Sequence, residues 1–349
     1  MEAGDNGVAG FDVATIDAWL PSVSGATGPF TWTRLEGGHS NLTYLIVDSE
    51  GREFVIRRPP QGELLPKAHD MWREYRIIDG LWPTPVPVAE PVSYQDERSL
   101  CDAHFYVMGK VDGNALYTGE EVAALLDVSA RKRAGESFVD TLAALHSIAP
   151  EDVGLGDLGR PDGYVARQLK TWYGSWTASV GDADYDDPRT HSLHELLSTK
   201  IPEQGEGRVV HGDFGPHNCL FLSDGSLSAV LDWEIATLGD PLADIAYSIN
   251  AWTEPGDNIA EGVDAPTVLE GFPSRQELME RYAAGTGADL SLMPYYRAFN
   301  WFKTACIVHG VYARYRAGKK STEGVDMDLF HTRIGIALDN ADTMAADIL

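Results

Sequence analysis

The sequence contains little lysine and little cysteine. Of the 27 basic residues among the 349, 8 are lysines and 19 are arginines, so few positions could hold a catalytic lysine. The three cysteines, Cys101, Cys219 and Cys306, are odd in number, which argues against a disulfide framework, and are too far apart to form a close pair of metal ligands. This use of cysteine fits a reducing compartment, and we predict a cytoplasmic protein.

A long hydrophobic run is also missing. The longest candidate, residues 305–313, contains His309 and is much shorter than the ~18 apolar residues that a membrane-spanning helix needs. Residues 1–10 include Glu2 and Asp5 and have no apolar segment of the kind found in secretory signals. We therefore expect neither a membrane segment nor a secretory signal.

Basic residues are outnumbered by acidic ones. The 53 Asp and Glu residues against 27 Lys and Arg give a formal net charge of -26. This charge repels phosphate backbones and anionic lipid headgroups, so neither nucleic acid nor a membrane surface is an expected partner. Hydrophobic residues make up 44% of the chain, which excludes wholesale disorder, and the length predicts two domains or lobes.

The N-terminal third has the pattern of a β-rich unit with little helix. A short helix is predicted over residues 11–20, ending at Pro21. Residues 68–82 have a second helical spacing, which places Glu74 inside the apolar stripe, where a carboxylate needs a cation. The β-type runs are 31–35, 42–47, 53–58, 86–92 and 104–108, and a hairpin turn joins the second to the third.

Long helical patterns dominate after Gly109. They cover 119–126, 129–148, 161–180, 189–198, 274–284, 294–316 and 327–344, and only 208–211, 219–222 and 228–231 interrupt them as short strands. We predict an α+β fold with two lobes. The N-lobe, residues 1–108, holds an antiparallel sheet and one helix. Residues 109–114 form a hinge, and residues 115–349 form a mainly helical C-lobe.

The strongest chemical signal is the run His211-Gly-Asp-Phe-Gly-Pro-His-Asn218, of the form H-x-D-x-x-x-x-N, between two short strands. Asp232 follows fourteen residues after Asn218, and Glu234 two further on. Phosphoryl transfer needs a carboxylate to hold or deprotonate the acceptor hydroxyl, and hard oxygen ligands for Mg²⁺. Asp213, Asn218 and Asp232 supply these groups in order. The alternative is a Gly/Pro loop whose polar residues only cap turns, which leaves the flanking strands and the second acid unexplained.

With Gly239-Asp-Pro-Leu-Ala-Asp-Ile-Ala246, this motif resembles the aminoglycoside phosphotransferase and choline kinase superfamily, which is related to protein kinases. The resemblance extends from about residue 31 to residue 316. It implies that Asp213 is the catalytic base and that His211 supports the catalytic loop. It also implies that Asn218 and Asp232 bind Mg²⁺, and that Glu234 assists the metal site or the substrate.

The N-terminal third carries weaker signals of a nucleotide site. A turn with Gly37, Gly38, Ser40 and Asn41 lies between two β-type runs, where the family places the loop that covers the nucleotide. Its backbone N–H groups could cradle phosphate oxygens. The same residues are also ordinary turn formers, and the fuller G-x-G-x-x-G spacing is absent.

The third β-type run places Val55 and Arg57 on one face. By the resemblance this face binds the nucleotide, and Arg57 stands where kinases carry a phosphate-binding lysine. Arginine keeps the charge and can pair bidentately with phosphate and with Glu74. The alternative is that Arg57 and Arg58 end an edge strand as solvated charges.

Residues 104–113 resemble the last N-lobe strand and the interlobe linker of the family. This places Met108 and Lys110 in the nucleotide-binding set, because backbone groups of 107–110 would hydrogen-bond the purine. Residues 57–69 and 73–76 are similar to a narrower branch, whose kinase-like domains occur alone or fused to acyl-CoA dehydrogenases and are associated with phosphorylating hydroxyacyl-CoA species. The length leaves no room for a dehydrogenase fold, so flavin oxidoreductase activity is not expected.

We predict an ATP- and Mg²⁺-dependent phosphotransferase with an alcohol group as acceptor, a small-molecule kinase acting on a hydroxyacyl-CoA or a similar hydroxy compound. An aminoglycoside, amino alcohol or sugar is an alternative acceptor, since an acidic chain attracts polycations. A pseudokinase scaffold is a second alternative, if Arg57 cannot position phosphates, and an acidic interaction protein a third. Aromatic clusters at 172–176 and 295–302 fit an acceptor pocket, although their helical spacing favours core packing. The sequence carries no signal for the oligomeric state.

Overall fold

The computed structural model describes residues 8–35, 41–62 and 69–348. Its N-terminal part is built on a five-stranded antiparallel sheet with strand order β1-β2-β3-β5-β4. The strands are β1 Thr31–Arg34, β2 Leu42–Val47, β3 Glu53–Arg58, β4 Pro91–Gln95 and β5 Phe105–Gly109. Because β3 pairs with β2 on one side and with β5 on the other, Arg57 and Arg58 lie on a central strand, and the alternative of an edge strand is wrong.

The tight turn from β2 to β3 follows from Asp48. Its carboxylate accepts hydrogen bonds from the backbone N–H of Glu50 and of Arg52, and Gly51 has a φ of 82°, which favours glycine. The turn fixes the register that pairs Val47 with Glu53 and Thr43 with Arg57. It thereby decides which face of β3 carries Arg57.

Helix α1, Val13–Ser24, covers one face of the sheet and buries Ile16 and Leu20 there. It runs through Pro21, so the prediction that this helix ends at the proline is wrong. Pro21 lies in the last turn, where its missing N–H removes one bond only, and the helix ends at Gly25 in the left-handed region.

Helix α2, Met71–Leu81, packs against the other face of the sheet. It begins at the N-cap Asp70, a few residues later than predicted, and Glu74 is buried as the helical spacing predicts. Strand β4 also begins later than the predicted run 86–92. Pro87 has no N–H to donate to a ladder, and its carbonyl instead accepts from Val230 N.

The remainder of the described chain is mainly helical. Its helices are α3 Gly119–Leu125, α4 Val128–Ser147, α5 Tyr164–Ala183, α6 Pro188–Thr199, α7 Pro241–Ala251, α8 Arg275–Thr286, α9 Met293–Arg316 and α10 Met327–Ala345. Helix α9 is central, since it packs against α5, α7 and α10. One buried cluster of apolar side chains joins these helices to α2.

Two small antiparallel ladders interrupt the helices and frame the loop that carries the predicted motif. Strand β6, Arg208–Val210, pairs with β9, Thr237–Gly239, and β7, Cys219–Phe221, pairs with β8, Leu227–Val230. Strand β9 is not among the predicted strands, and its pairing with β6 is formed between residues about thirty positions apart.

This architecture confirms the predicted α+β, two-lobed kinase-like fold. All three cysteines are free and buried. Across the described ranges, every helix is too short or too polar to cross a bilayer.

Candidate active site

The loop after β6 is held by a buried carboxylate. Asp244, on α7, accepts from the backbone N–H of His211 at 2.7 Å and of Gly212 at 2.8 Å, one bond to each oxygen. His146 Nε2 lies 3.2 Å from the same carboxylate. Burial alone would raise the pKa of Asp244, but the hydrogen bond and charge of His146 outweigh it and hold that pKa below its ordinary value.

His211 is fully buried and connects the loop to the end of β8. Its Nε2 donates to the carbonyl of Leu231 at 2.8 Å, and its Nδ1 accepts from Asp213 N at 3.3 Å. Both ring nitrogens are therefore used within the protein. These contacts fit the loop-supporting role that the resemblance implies for His211.

Asp213 is the polar centre of the loop. Its Oδ2 accepts from Asn218 Nδ2 at 3.0 Å, and the same amide donates to its backbone carbonyl at 2.9 Å. Its Oδ1 accepts a short hydrogen bond from the hydroxyl of Tyr247 and lies 3.5 Å from His217 Nε2. Both carboxylate oxygens are therefore fixed in direction.

The surroundings keep Asp213 ionised. Burial alone would raise its pKa, but hydrogen bonds from His217 and Tyr247 and the charge of His217 outweigh burial and lower the pKa. A carboxylate that stays ionised in a half-buried site can accept a proton or orient a hydroxyl.

Asn218 and Asp232 are brought together by the ladder between β7 and β8. Leu231 N donates to the carbonyl of Asn218 at 2.8 Å, so Asp232 directly follows the residue opposite Asn218. Asp232 has a φ of 60°, a left-handed conformation that aspartate tolerates better than most residues. Glu234 lies in the short 3-10 turn Trp233–Ile235 that follows.

Arg57 connects the sheet to this loop region. Its Nε lies 3.1 Å from Glu74 Oε2 and its Nη2 lies 3.4 Å from Asp232 Oδ1. The Asn41 amide can hydrogen-bond both Arg57 and His69 in one orientation. In that orientation its oxygen accepts from Arg57 Nη2 at 2.8 Å and its nitrogen donates to His69 Nδ1. The predicted ion pair between Arg57 and Glu74 is confirmed.

Glu74 is only partly satisfied. Its Oε2 also accepts from the hydroxyl of Tyr106 at 3.0 Å, whereas its buried Oε1 has no hydrogen-bond partner among the described residues. The pKa of Glu74 is raised to about 7 by burial, because the charge of Arg57 and the hydrogen bond from Tyr106 offset only part of the effect of burial.

The other residues that were predicted to bind the nucleotide differ in their contacts. Val55 and Met108 are direct partners across β3 and β5, on the same face as Arg57. The Lys110 ammonium lies 3.1 Å from Glu53 Oε2 and donates to Asp112, and Lys110 N donates to the carbonyl of Glu53. Since Gly109 N donates to Glu90 as well, neither N–H is free for a purine. Gly37, Gly38 and Ser40 lie outside the described residues.

With this geometry established, the comparison with known proteins identifies the family. Residues 31–297, more than half of the chain, match the phosphotransferase enzyme family, APH. The chain belongs to the APH phosphotransferase family. It is thus a kinase-type transferase with a nucleotide-binding fold.

The relatives of this APH phosphotransferase include proteins with acyl-CoA dehydrogenase names and solved phosphotransferase structures. It is 34% identical over 304 residues to "Acyl-CoA dehydrogenase family member 11" of Gallus gallus, an alignment that covers 85% of this chain and 38% of that protein. The chain thus spans well under half of that relative.

A crystal structure from Ralstonia eutropha JMP134, provisionally named an aminoglycoside phosphotransferase, is similar to the chain with a TM-score of 0.78 and 28% identity. The similarity covers 95% of this chain and 99% of the Ralstonia chain. Spectinomycin phosphotransferase, solved with ADP and spectinomycin, has a TM-score of 0.62 and 12% identity, covers 93% and 97% of the two chains, and shares the fold.

Two residues of this APH phosphotransferase that were not predicted from the sequence contact the candidate site. Tyr247 contacts Asp213, and Lys303, on α9, donates to the carbonyl of Gly212 at 3.2 Å with its Nζ 5.3 Å from the Tyr247 ring centre. A signal for Tyr247 exists, because positions 240, 244 and 247 share one face of a helix. For Lys303 the only signal is a lysine within the apolar stripe of α9.

The aromatic clusters do not form an acceptor pocket as a set. Trp176, Tyr295, Tyr296, Phe299 and Phe302 are buried in the core, as their helical spacing favours. Asp240 is the N-cap of α7, since it accepts from Leu242 N, and it also accepts from the hydroxyl of Tyr296 at 2.6 Å.

Proposed function

We propose that this phosphotransferase uses ATP and Mg²⁺ and transfers the γ-phosphoryl group to the hydroxyl of a small molecule. The observation that carries the proposal is the convergence of two distant parts of the chain. Asp213 and Asn218 form one hydrogen-bonded unit, Asp232 follows the residue opposite Asn218, and Arg57 of the sheet reaches Asp232. Phosphoryl transfer depends mainly on such positioning and on charge stabilisation.

Asp213 is the proposed base. It orients the acceptor hydroxyl and takes up its proton as the oxygen attacks phosphorus, while Asn218 holds Oδ2 in place. The hydroxyl of Tyr247 occupies Oδ1, so the acceptor hydroxyl must share or displace that contact. His211 and Asp244 keep the loop in the conformation that presents this carboxylate.

The described residues fit a metal that is held jointly with a nucleotide. They contain no cluster of three or more His, Cys, Asp or Glu side chains with metal-binding geometry. Mg²⁺ is commonly bound by one or two protein groups together with substrate phosphates. The amide oxygen of Asn218 and the carboxylate of Asp232 would be these protein groups, and Glu234 follows Asp232 by two positions. When bound, Mg²⁺ neutralises phosphate charge.

The nucleotide would lie between the sheet and the helical region. Arg57, held by Glu74, would bind phosphate oxygens, and Val55 and Met108 would contact the base. We retain the turn with Gly37, Gly38, Ser40 and Asn41 as the proposed phosphate cover and residues 109–114 as the hinge. The N–H groups of Gly109 and Lys110 already donate hydrogen bonds within the protein. The purine would therefore be bound by backbone carbonyls of this segment or by residues after 110.

The acceptor we propose is a hydroxyacyl-CoA or a similar hydroxy compound. This assignment is supported by the similarity to proteins with acyl-CoA names over 85% of the chain. Aminoglycosides are the competing class, supported by the naming of the Ralstonia structure. With three free, buried cysteines, we place the protein in the cytoplasm.

A screen of ATP consumption tests the function. The native chain is incubated with ATP, Mg²⁺ and panels of hydroxyacyl-CoAs, sugars, amino alcohols and aminoglycosides. Asp213→Asn should lower turnover about 100-fold or more, the scale of a lost general base. The control Asp152→Asn changes an exposed carboxylate and should keep native turnover.

The screen also separates an enzyme from a scaffold. Stabilisation by ATP with Mg²⁺, together with no turnover on any acceptor panel, would point to a pseudokinase. Turnover that survives in Asp213→Asn would overturn the assignment of the base.

A further inference from the structure

A cavity of about 440 Å³ is lined in part by α7, the helix that also carries Tyr247, and the mechanism above does not use it. It is bounded by the C-terminal end of α7, residues 253–259, the start of α8, and the side chains of α9 and α10. Its volume is in the range of small-molecule sites. Asn250 lines it from α7, three residues after Tyr247, which is a rise of about 4.5 Å along the helix.

The lining is partly polar and partly apolar. Trp301 follows Arg297 by one turn of α9, and Met279 and Met344 add apolar surface from α8 and α10. Asn340 supplies an amide. An occupant therefore has both an apolar segment and a polar group, which is common for small-molecule pockets.

Arg297 is the unusual group of this cavity. Its Nε donates to Asn250 Oδ1 at 2.9 Å, and the Asn250 amide donates to the backbone carbonyl of Arg297 at 3.0 Å, so Asn250 is held against α9 and orients the guanidinium through Nε. Within the described ranges, neither terminal nitrogen of its guanidinium donates a hydrogen bond and no carboxylate lies within ion-pair distance.

The two carboxylates that line the same cavity are paired with Arg275. Glu254 Oε2 lies 2.8 Å from Arg275 Nε, and Asp257 pairs with Arg275 Nη2. Burial first and the charge of Arg275 second lower the pKa of Arg297 to about 10, because Asp257 and Glu254 offset only part of these two effects. A half-buried guanidinium with two unused nitrogens has the geometry for a bidentate oxyanion.

We propose that this cavity is the anion subsite for the phosphate acceptor: Arg297 binds a carboxylate or phosphate group of the acceptor while the acceptor hydroxyl reaches Asp213. The proposal rests on the proposed kinase function and narrows its substrate class to hydroxy compounds that carry an oxyanion. An aminoglycoside, which is polycationic, would not use Arg297.

The first test is binding without turnover. Inorganic phosphate, coenzyme A and 4-hydroxybutyrate are titrated by calorimetry into the full chain, against sodium chloride at matched ionic strength. At least one probe should bind, and Arg297→Gln should weaken it about tenfold or more, the scale of a charge-assisted hydrogen bond. Binding of 4-hydroxybutyrate alone would identify a carboxylate subsite, and binding of phosphate or coenzyme A alone a phosphate subsite.

Two further variants make this result specific. Arg314→Gln removes the same charge from an exposed position on the same helix and should bind like the native chain. Arg297→Lys keeps the charge without the planar fork and should bind with intermediate strength, and it replaces Arg297→Gln if that variant does not fold. The proposal is overturned if no probe binds the native chain, or if Arg297→Gln binds as tightly as Arg314→Gln.

The second test separates this inference from the kinase proposal. With an acceptor from the ATP screen, Arg297→Gln should raise the KM of the acceptor about tenfold and leave the KM of ATP unchanged. Native KM for an anionic acceptor in Arg297→Gln would reject the subsite but keep the kinase. Loss of anion binding in Arg297→Gln, without ATP turnover by the native chain, would reject the kinase but keep the anion site.

Discussion

The guanidinium of Arg57 lies between Glu74 and Asp232, 3.1 Å from the first carboxylate and 3.4 Å from the second. Arg57 and Asp232 are 175 positions apart in the chain. One side chain thereby links α2, the central strand of the sheet and the loop after β8. Because Asp232 is also the proposed metal ligand, the proposed nucleotide site would divide the charge of Arg57 between Asp232 and the phosphates.

Arg57→Met should weaken binding of ATP with Mg²⁺ about tenfold or more, since a charge-assisted contact to phosphate is lost. Arg57→Lys keeps a positive charge and should bind ATP more tightly than Arg57→Met does. The measurement is calorimetric titration with ATP. Arg316→Met, which removes an exposed arginine that pairs with Asp184, is the control and should not change the affinity. Equal affinity in Arg57→Met and the native chain would contradict the assigned role.

Glu74 should make stability depend on pH. Its pKa is raised from 4.5 to about 7 in the folded protein, so the folded chain holds this proton more tightly than the unfolded chain does. The stabilisation of the folded state by the protonated Glu74 carboxyl is fully present below about pH 4.5 and is lost as the pH rises to about 7. Relative to Glu74→Gln, the native free energy of unfolding should therefore fall by roughly 3 kcal/mol across this range.

Urea unfolding of both chains at several pH values measures this difference. Glu151→Gln, a change at an exposed carboxylate, is the control and should give a curve parallel to the native one. Parallel curves for Glu74→Gln and the native chain would show that Glu74 titrates normally.

Tyr247→Phe should shift the pH dependence of turnover. The hydroxyl of Tyr247 donates to Asp213 and helps to lower the pKa of that carboxyl, so its removal raises the pKa. The acidic limb of the kcat/KM profile should therefore move to higher pH. Tyr117→Phe changes an exposed tyrosine and should leave the profile in place. Superimposable profiles for Tyr247→Phe and the native enzyme would remove Tyr247 from the site.

Asp244→Asn should destabilise both the folded protein and the conformation of the loop after β6. The carboxylate accepts two backbone N–H bonds while buried, and an asparagine offers one oxygen, which leaves a buried donor unpaired. We expect a loss of about 1–3 kcal/mol in the free energy of unfolding, and lower turnover under conditions where the variant is still folded. Urea unfolding and steady-state kinetics measure both. Native turnover in the folded variant would show that Asp244 serves stability alone.

Local pattern predicts much of the N-terminal fold. The bounds of β2 and β3 match the predicted runs, because alternation and the turn at Asp48 act over neighbouring residues. Helix α1 and strand β4 differ from their predicted bounds. In α1, burial of Leu20 and the cap at Gly25 outweigh the effect of Pro21, and both depend on the surrounding structure.

The chemistry of the loop from His211 to Asp232 follows from local spacing. The spacing from His211 to Asn218 and on to Asp232 is short, so two small ladders suffice to bring these residues together. A carboxylate in the apolar stripe of α2 likewise predicts a cation for Glu74 before any contact is known.

Only the tertiary structure decides which distant side chains complete the site. The contact of Arg57 with Asp232, the hydroxyl of Tyr247 on Asp213 and the open guanidinium of Arg297 each depend on how separate elements pack. Periodicity specifies the face on which a residue lies, but not the partner that this face meets. The partner is set by the packing of α7 and α9 on each other and on the ladders, which involves contacts far apart in the chain.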